Sequence, residues 1–130
     1  MKRYLLALLG LTGVAQGSPG MASDWPGWRG ADGSGVSAET GLPDRWGASE
    51  NIRWKADLPG RGVSSPVISR GRAYITACTG ASQDRLHILC FDALSGKLLW
   101  ERQLWATGLT QCHPKTSMAA PTPAADGERV

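Results

Sequence analysis

Two stretches, "NIRWKADL" at 51–58 and "KLLWERQL" at 97–104, set a tryptophan in the same frame of apolar and polar neighbours, 46 positions apart from Trp54 to Trp100. Each is followed by a polar link and an expected proline-marked strand, "SSPVISRGRAY" after the first and "AAPTPAADGERV" after the second. The second link is longer by about nine residues, which is where "GLTQCHPKT" lies. A unit in the forties that holds four short strands cannot bury both of its own faces, so it must stack on neighbouring units. This is the logic of a β-propeller blade.

The strand-like runs are 51–58, 67–69, 72–76, 86–91 and 97–105, separated by turn residues such as Pro59-Gly60, Arg70-Gly71 and Ser95-Gly96. In 86–91, Leu86, Ile88 and Cys90 point to one face while Leu89 and Phe91 point to the other. A sheet with one wet face would alternate, so this strand expects cover on both sides. With 17 Gly and 8 Pro the chain favours short strands and turns, and no amphipathic helical run appears that could supply an α/β layer.

Residues 1–17 read as a signal peptide: Lys2 and Arg3 precede an apolar run from Tyr4 to about Ala15, then small residues follow. Cleavage between Gly17 and Ser18, or later near Ala22, would export the chain to the periplasm or the medium, with no membrane span left behind. Loss of Lys2 and Arg3 lowers the net charge from +3 to +1, so the basic balance belongs to the leader and does not imply nucleic acid. Residues 18–50, with "DWPGWRGADGSGVSAETGLPDRWG" at 24–47, show neither period and form an irregular arm, expected to bury Trp25, Trp28 and Trp46 against the body at 51–130. Cys78, Cys90 and Cys112 are an odd set for an exported chain. Pairing of 73–77 with 86–92 would put Cys78 opposite Leu86 and leave Cys90 far up the ladder, too distant for a bridge.

"FDALSGKLLWERQL", at 91–104, then reads mechanically. Asp92 accepts backbone N–H groups inside a tight turn, Gly96 supplies a positive φ, and Trp100 lays its ring over a seam with the next blade. At these residues the chain resembles the β-propellers built from PQQ-like, quinoprotein-type repeats, whose blade motif matches Asp92, Ser95, Gly96, Lys97 and Trp100, with Trp54 as the same position one repeat earlier. The openings "DWPGWRGADGSGVSAETGLPDRW" and "WKADLPGRGVSSPV" are similar to the N-terminal part of exported bacterial members. The resemblance implies an all-β fold, a PQQ-like propeller with one full four-stranded blade and parts of two others, truncated at 130. It implies either a non-catalytic binding or assembly scaffold, or the front of a PQQ- and calcium-dependent dehydrogenase. The dehydrogenases' adjacent Cys pair is absent, and no acidic set here matches their calcium site, so PQQ and calcium are expected only if further blades complete a site. No catalytic or metal residue is assigned.

"CHPKT", at 112–116, is the one local cluster with chemistry: Cys112 and His113 could join a ligand or metal site on a propeller face, although two ligands are too few by themselves. His87 and Cys90 are three apart in a strand, point to opposite faces and cannot share a metal. "GADGSG" at 30–35 lacks the lysine and following helix of a phosphate loop and the spaced acids of a calcium loop. The tryptophans could also stack on a sugar, but packing between blades accounts for them more simply. The partner or ligand is not written in these residues.

Overall fold

A computed structural model describes residues 4–7, by their backbone, and 23–130. Six strands and no helix occur among the described residues: β1 Tyr4–Ala7, β2 Trp54–Asp57, β3 Val67–Ser69, β4 Arg72–Thr79, β5 Arg85–Asp92 and β6 Leu98–Trp105. The expected signal-peptide cleavage positions lie outside the described residues, while β1, inside the same segment, runs antiparallel to β2 with Ala7 opposite Trp54.

Strands β3 to β6 form one antiparallel sheet in chain order. Each connection is a local hairpin whose turn chemistry is visible in the sequence. Arg70 and Gly71, at φ 47° and 71°, make the two-residue turn that sets Ser69 opposite Arg72. Two consecutive left-handed residues match the right-handed twist of the flanking strands, which explains the tight reversal. The β4–β5 ladder places Cys78 opposite Leu86 and Tyr74 opposite Cys90, the register expected from the sequence. Between β5 and β6 the register slips, with Cys90 opposite Trp100 but Phe91 opposite Leu98, so Leu99 is an extra residue that bends the outer strand.

Apolar residues pack on both faces of this sheet. Ala73, Ile75, Ala77, Leu89 and Phe91 form a buried cluster with Trp54 of β2, whose ring stacks on Phe91 at 6.1 Å. On the other face Val67, Tyr74 and Cys90 pack with Ala125, and Trp100 covers them with its ring 5.9 Å from that of Tyr74. A four-stranded sheet closed on one side by an earlier strand and on the other by a later segment is one blade between parts of two neighbours, as the repeat implied.

The inner edge of the blade is irregular. Past Val67 the chain leaves β4, the Ser64 hydroxyl lies at 3.3 Å from the Thr76 amide that donates to it, and pairing resumes where Arg61 and Cys78 exchange two backbone bonds. A serine hydroxyl thus satisfies an amide that the bulged strand cannot reach.

Two expectations fail. Trp28 and Trp46 are 68% and 57% exposed rather than packed; of the three arm tryptophans Trp25 is the one that pairs with the sheet, through two backbone bonds with Ile68. Those two rings sit on turns that make few contacts with the sheet, and a local turn offers no apolar surface to cover a ring. The proline-marked run 119–130 is not a strand. Pro121 and Pro123 cannot donate to a ladder, and no strand pairs with it among the described residues. The run still docks: Ala119 and Ala125 are buried, and Thr76 Oγ1 lies 3.2 Å from the carbonyl oxygens of Ala119 and Pro121.

Candidate functional site

The repeat motif occupies the turn between β5 and β6. Asp92 Oδ1 accepts from the Ser95 hydroxyl and the Ser95 backbone N–H, both at 2.7 Å, and the Gly96 N–H donates to the Asp92 carbonyl at 2.8 Å. The two Ser95 bonds, that of the hydroxyl first, hold the Asp92 carboxyl below its ordinary range, since each favours the ionised form. The Lys97 carbonyl accepts from the Asp92 N–H, so Lys97 serves through its backbone while its side chain is exposed.

Gly96 meets two demands at once. Its φ is 73°, and a Cβ there would stand 2.4 Å from Cδ2 of Trp54, a distance no methyl group tolerates. The Trp54 indole lies directly on the turn and donates its Nε1–H to the Ala93 carbonyl at 2.9 Å. Asp92, Ser95 and Gly96 therefore build a flat backbone shelf, and Trp54 of β2 rests on it. Sequence reading found the turn and both tryptophans but not that one seats on the other; the signal was a glycine at a position where the turn already had its hydrogen bonds.

At the opposite end of the blade lies a polar chain that the strand register brings together. Glu101 Oε1 is 2.6 Å from His87 Nδ1, and His87 Nε2 is 2.8 Å from Thr79 Oγ1. A carboxylate can only accept, so His87 Nδ1 donates to Glu101, and Nε2 makes the second hydrogen bond of the ring, to the Thr79 hydroxyl. Gln103 Nε2 also donates to Glu101 at 2.9 Å. The His87 bond, chiefly, holds the Glu101 carboxyl below its ordinary value.

The order carboxylate, imidazole, hydroxyl matches that of a nucleophilic triad, yet the surroundings serve packing. His87 is 4% exposed, and the backbone at Gly60 presses on Thr79, where a Cβ would come 2.7 Å from Cγ2. The chain ties β4, β5 and β6 together across the face that otherwise holds the Trp54 cluster. Diagonal positions on neighbouring strands were legible only once the register was known.

Cys112 and His113 are not brought together on a shared ligand. Cys112 Sγ accepts from Gln83 Nε2 at 3.4 Å, whereas exposed His113 closes its own turn, with Nδ1 accepting from the Lys115 N–H. Gln83 Oε1 accepts in turn from the Cys78 thiol at 3.2 Å and from the Met118 N–H at 3.2 Å. Arg61 adds a bond to the Pro114 carbonyl at 2.9 Å, so the inserted link lies against the blade. Cys90 is fully buried and burial pushes its thiol up, which the nearby Arg72 guanidinium offsets only in part. All three cysteines are free. Among the described residues no three His, Cys, Asp or Glu side chains converge on a point that would suit a metal ion. No described helix is long and apolar enough to cross a membrane.

No curated protein matches the chain. A family profile does match, over residues 45–130, about two thirds of the sequence, and its description is outer membrane protein assembly factor BamB. The matched span contains Trp54, the complete blade and the Asp92 to Trp100 motif. With the repeat, the two-sided sheet and the tryptophan shelf in place, the chain belongs to this family of PQQ-like β-propeller repeats.

Proposed function

We propose that this protein is an exported, non-catalytic propeller module that serves as a scaffold for binding or assembling another protein in the periplasm. The observation that carries the reading is the seat of Trp54 on the Asp92 to Gly96 turn: the motif residues that look chemical are spent on stacking one blade against another. His87, Glu101 and Thr79 are likewise engaged with one another. The outward residues at the end of β6 include an apolar pair that suits a protein partner, Leu104 and Trp105, 54% and 63% exposed. The family's description, an assembly factor for outer membrane proteins, supports a protein partner over a small molecule. Export rests on the leader-like residues 1–17; its removal takes β1 away and frees the edge of β2 for a strand of another blade.

The rival is a PQQ- and calcium-dependent dehydrogenase completed by further blades. Titrating the full-length exported protein with PQQ and calcium, while following cofactor absorbance and alcohol-dependent dye reduction, separates the two. The scaffold reading expects no saturable binding. Saturable binding with dye reduction overturns it.

A further inference from the structure

The three cysteines divide by surroundings. Cys90 is 0% exposed on β5, with Tyr74 opposite it. Cys78 and Cys112 contact one and the same carboxamide, that of Gln83, at 3.2 and 3.4 Å through its oxygen and its nitrogen. One amide group is therefore what separates two thiols that are 34 positions apart in the chain. One belongs to a strand of the blade and the other to the inserted link, which has no regular structure, so the link can close the gap by moving while β4 stays in its ladder.

We propose that Cys78 and Cys112 form a disulfide that fastens the 106–118 link to the hairpin end of the blade, and that Gln83 is the spacer that leaves as it forms. Exposure sets the order of events. Cys112 is half-buried and Cys78 is 1% exposed, so the Cys112 thiolate attacks a small-molecule or protein disulfide first and releases one thiol of that oxidant. Cys78 then gives up its proton and attacks the Cys112 sulfur; the new S–S bond expels the oxidant's second thiolate, which takes up a proton. Two protein thiols are oxidised and one disulfide is reduced to two thiols. The assignment also explains the odd cysteine count: a bridgeable pair and one core thiol. Its occurrence in the cell rests on the export reading, because oxidants of this class persist outside the cytoplasm; the chemistry itself does not.

The sequence makes the test clean, because trypsin separates the three cysteines onto peptides 73–85, 86–97 and 103–115. The full-length protein, reduced and then exposed to oxidised glutathione, is alkylated, digested without reduction and analysed by mass spectrometry. The expected product is peptide 73–85 joined to 103–115, about 2 Da below the sum of the two, with Cys90 in 86–97 alkylated only after unfolding. Gln83→Ala should speed the bridge several-fold, since the spacer is gone, and Cys112→Ser should leave Cys78 unbridged. A lasting glutathione adduct on Cys112 beside an alkylated Cys78, a bridge from 73–85 to any other peptide, or an unchanged rate in Gln83→Ala overturns the proposal. None of these outcomes depends on whether the protein is exported or binds PQQ.

Discussion

On one face of the blade the cover is led by a large ring, Trp54, stacked on Phe91 and hydrogen-bonded to the Ala93 carbonyl, with Ala56 and Leu58 beside it. On the other face it is a segment without regular structure, in which Ala119 and Ala125 are the buried side chains and Trp100 comes from the blade itself. The two tryptophans occupy the same place in the repeat but not in the packing: Trp54 is 9% exposed and reaches across to another turn, whereas Trp100 is half-buried and lies on Tyr74 of its own sheet. The difference teaches what the repeat is for. A tryptophan at this position is a donor of cover, and it is fully used only where the turn of a neighbouring repeat offers a glycine shelf.

The comparison breaks first at Trp54. Trp54→Ala should lower the stability of the full-length protein by about 3–5 kcal/mol in urea unfolding, the range for removing a large buried aromatic side chain. A loss below about 1 kcal/mol would mean that β2 does not seal that face. Gly96→Val attacks the same contact from the shelf, adding both a branched side chain at φ 73° and a clash with the indole. Its expected loss is about 2–4 kcal/mol, from left-handed strain and overpacking together. Unchanged stability there would refute the turn assignment.

The fold was legible because its signals are local. The turn residues Arg70-Gly71 and Ser95-Gly96 mark hairpins that the structure contains, and the apolar residues on both faces of β5 already required two covers. Expected and observed strands differ mainly at their ends, with β4 extending to Thr79 because Thr79 still finds Arg85 across the ladder. Long-range partners were not legible. The sequence places His87 on a strand face opposite Cys90 and no further, because its bonds to Thr79 and Glu101 need a register across three strands. Gln83 carries no motif at all, yet its carboxamide contacts two cysteines and a backbone amide. Trp28 and Trp46 show the reverse error: composition argued that indoles are buried, but turns in the arm supply nothing to bury them against.

The second tryptophan sharpens the contrast. Trp100→Ala should cost about 1–2 kcal/mol, less than Trp54→Ala, because Trp100 lies on an edge strand and is only partly buried, so that less area is lost with its ring. Equal losses for the two variants in parallel urea titrations would show that the two faces are sealed alike and that the repeat position alone sets the energy.

The smallest effect concerns the polar end of the Trp54 face, where Glu101 and His87 meet at 2.6 Å. The folded state holds the Glu101 carboxyl below its ordinary value of 4.5, so unfolding lets it bind protons more readily. A depressed carboxyl contributes stability that is present above its unfolded value and is lost as the pH falls through the lower folded value. Glu101→Gln should therefore lower the melting temperature modestly near pH 6, where the wild-type carboxylate is ionised in both states, and the gap should close as both proteins are taken below pH 4.5. Asp92 is also held ionised, by Ser95, but it is common to both proteins and its acid loss cancels in the difference. A gap that stayed constant from pH 6 into the acid range would mean that the Gln side chain is merely a poorer fit at that position, and that the Glu101 carboxylate contributes nothing to fastening β5 and β6.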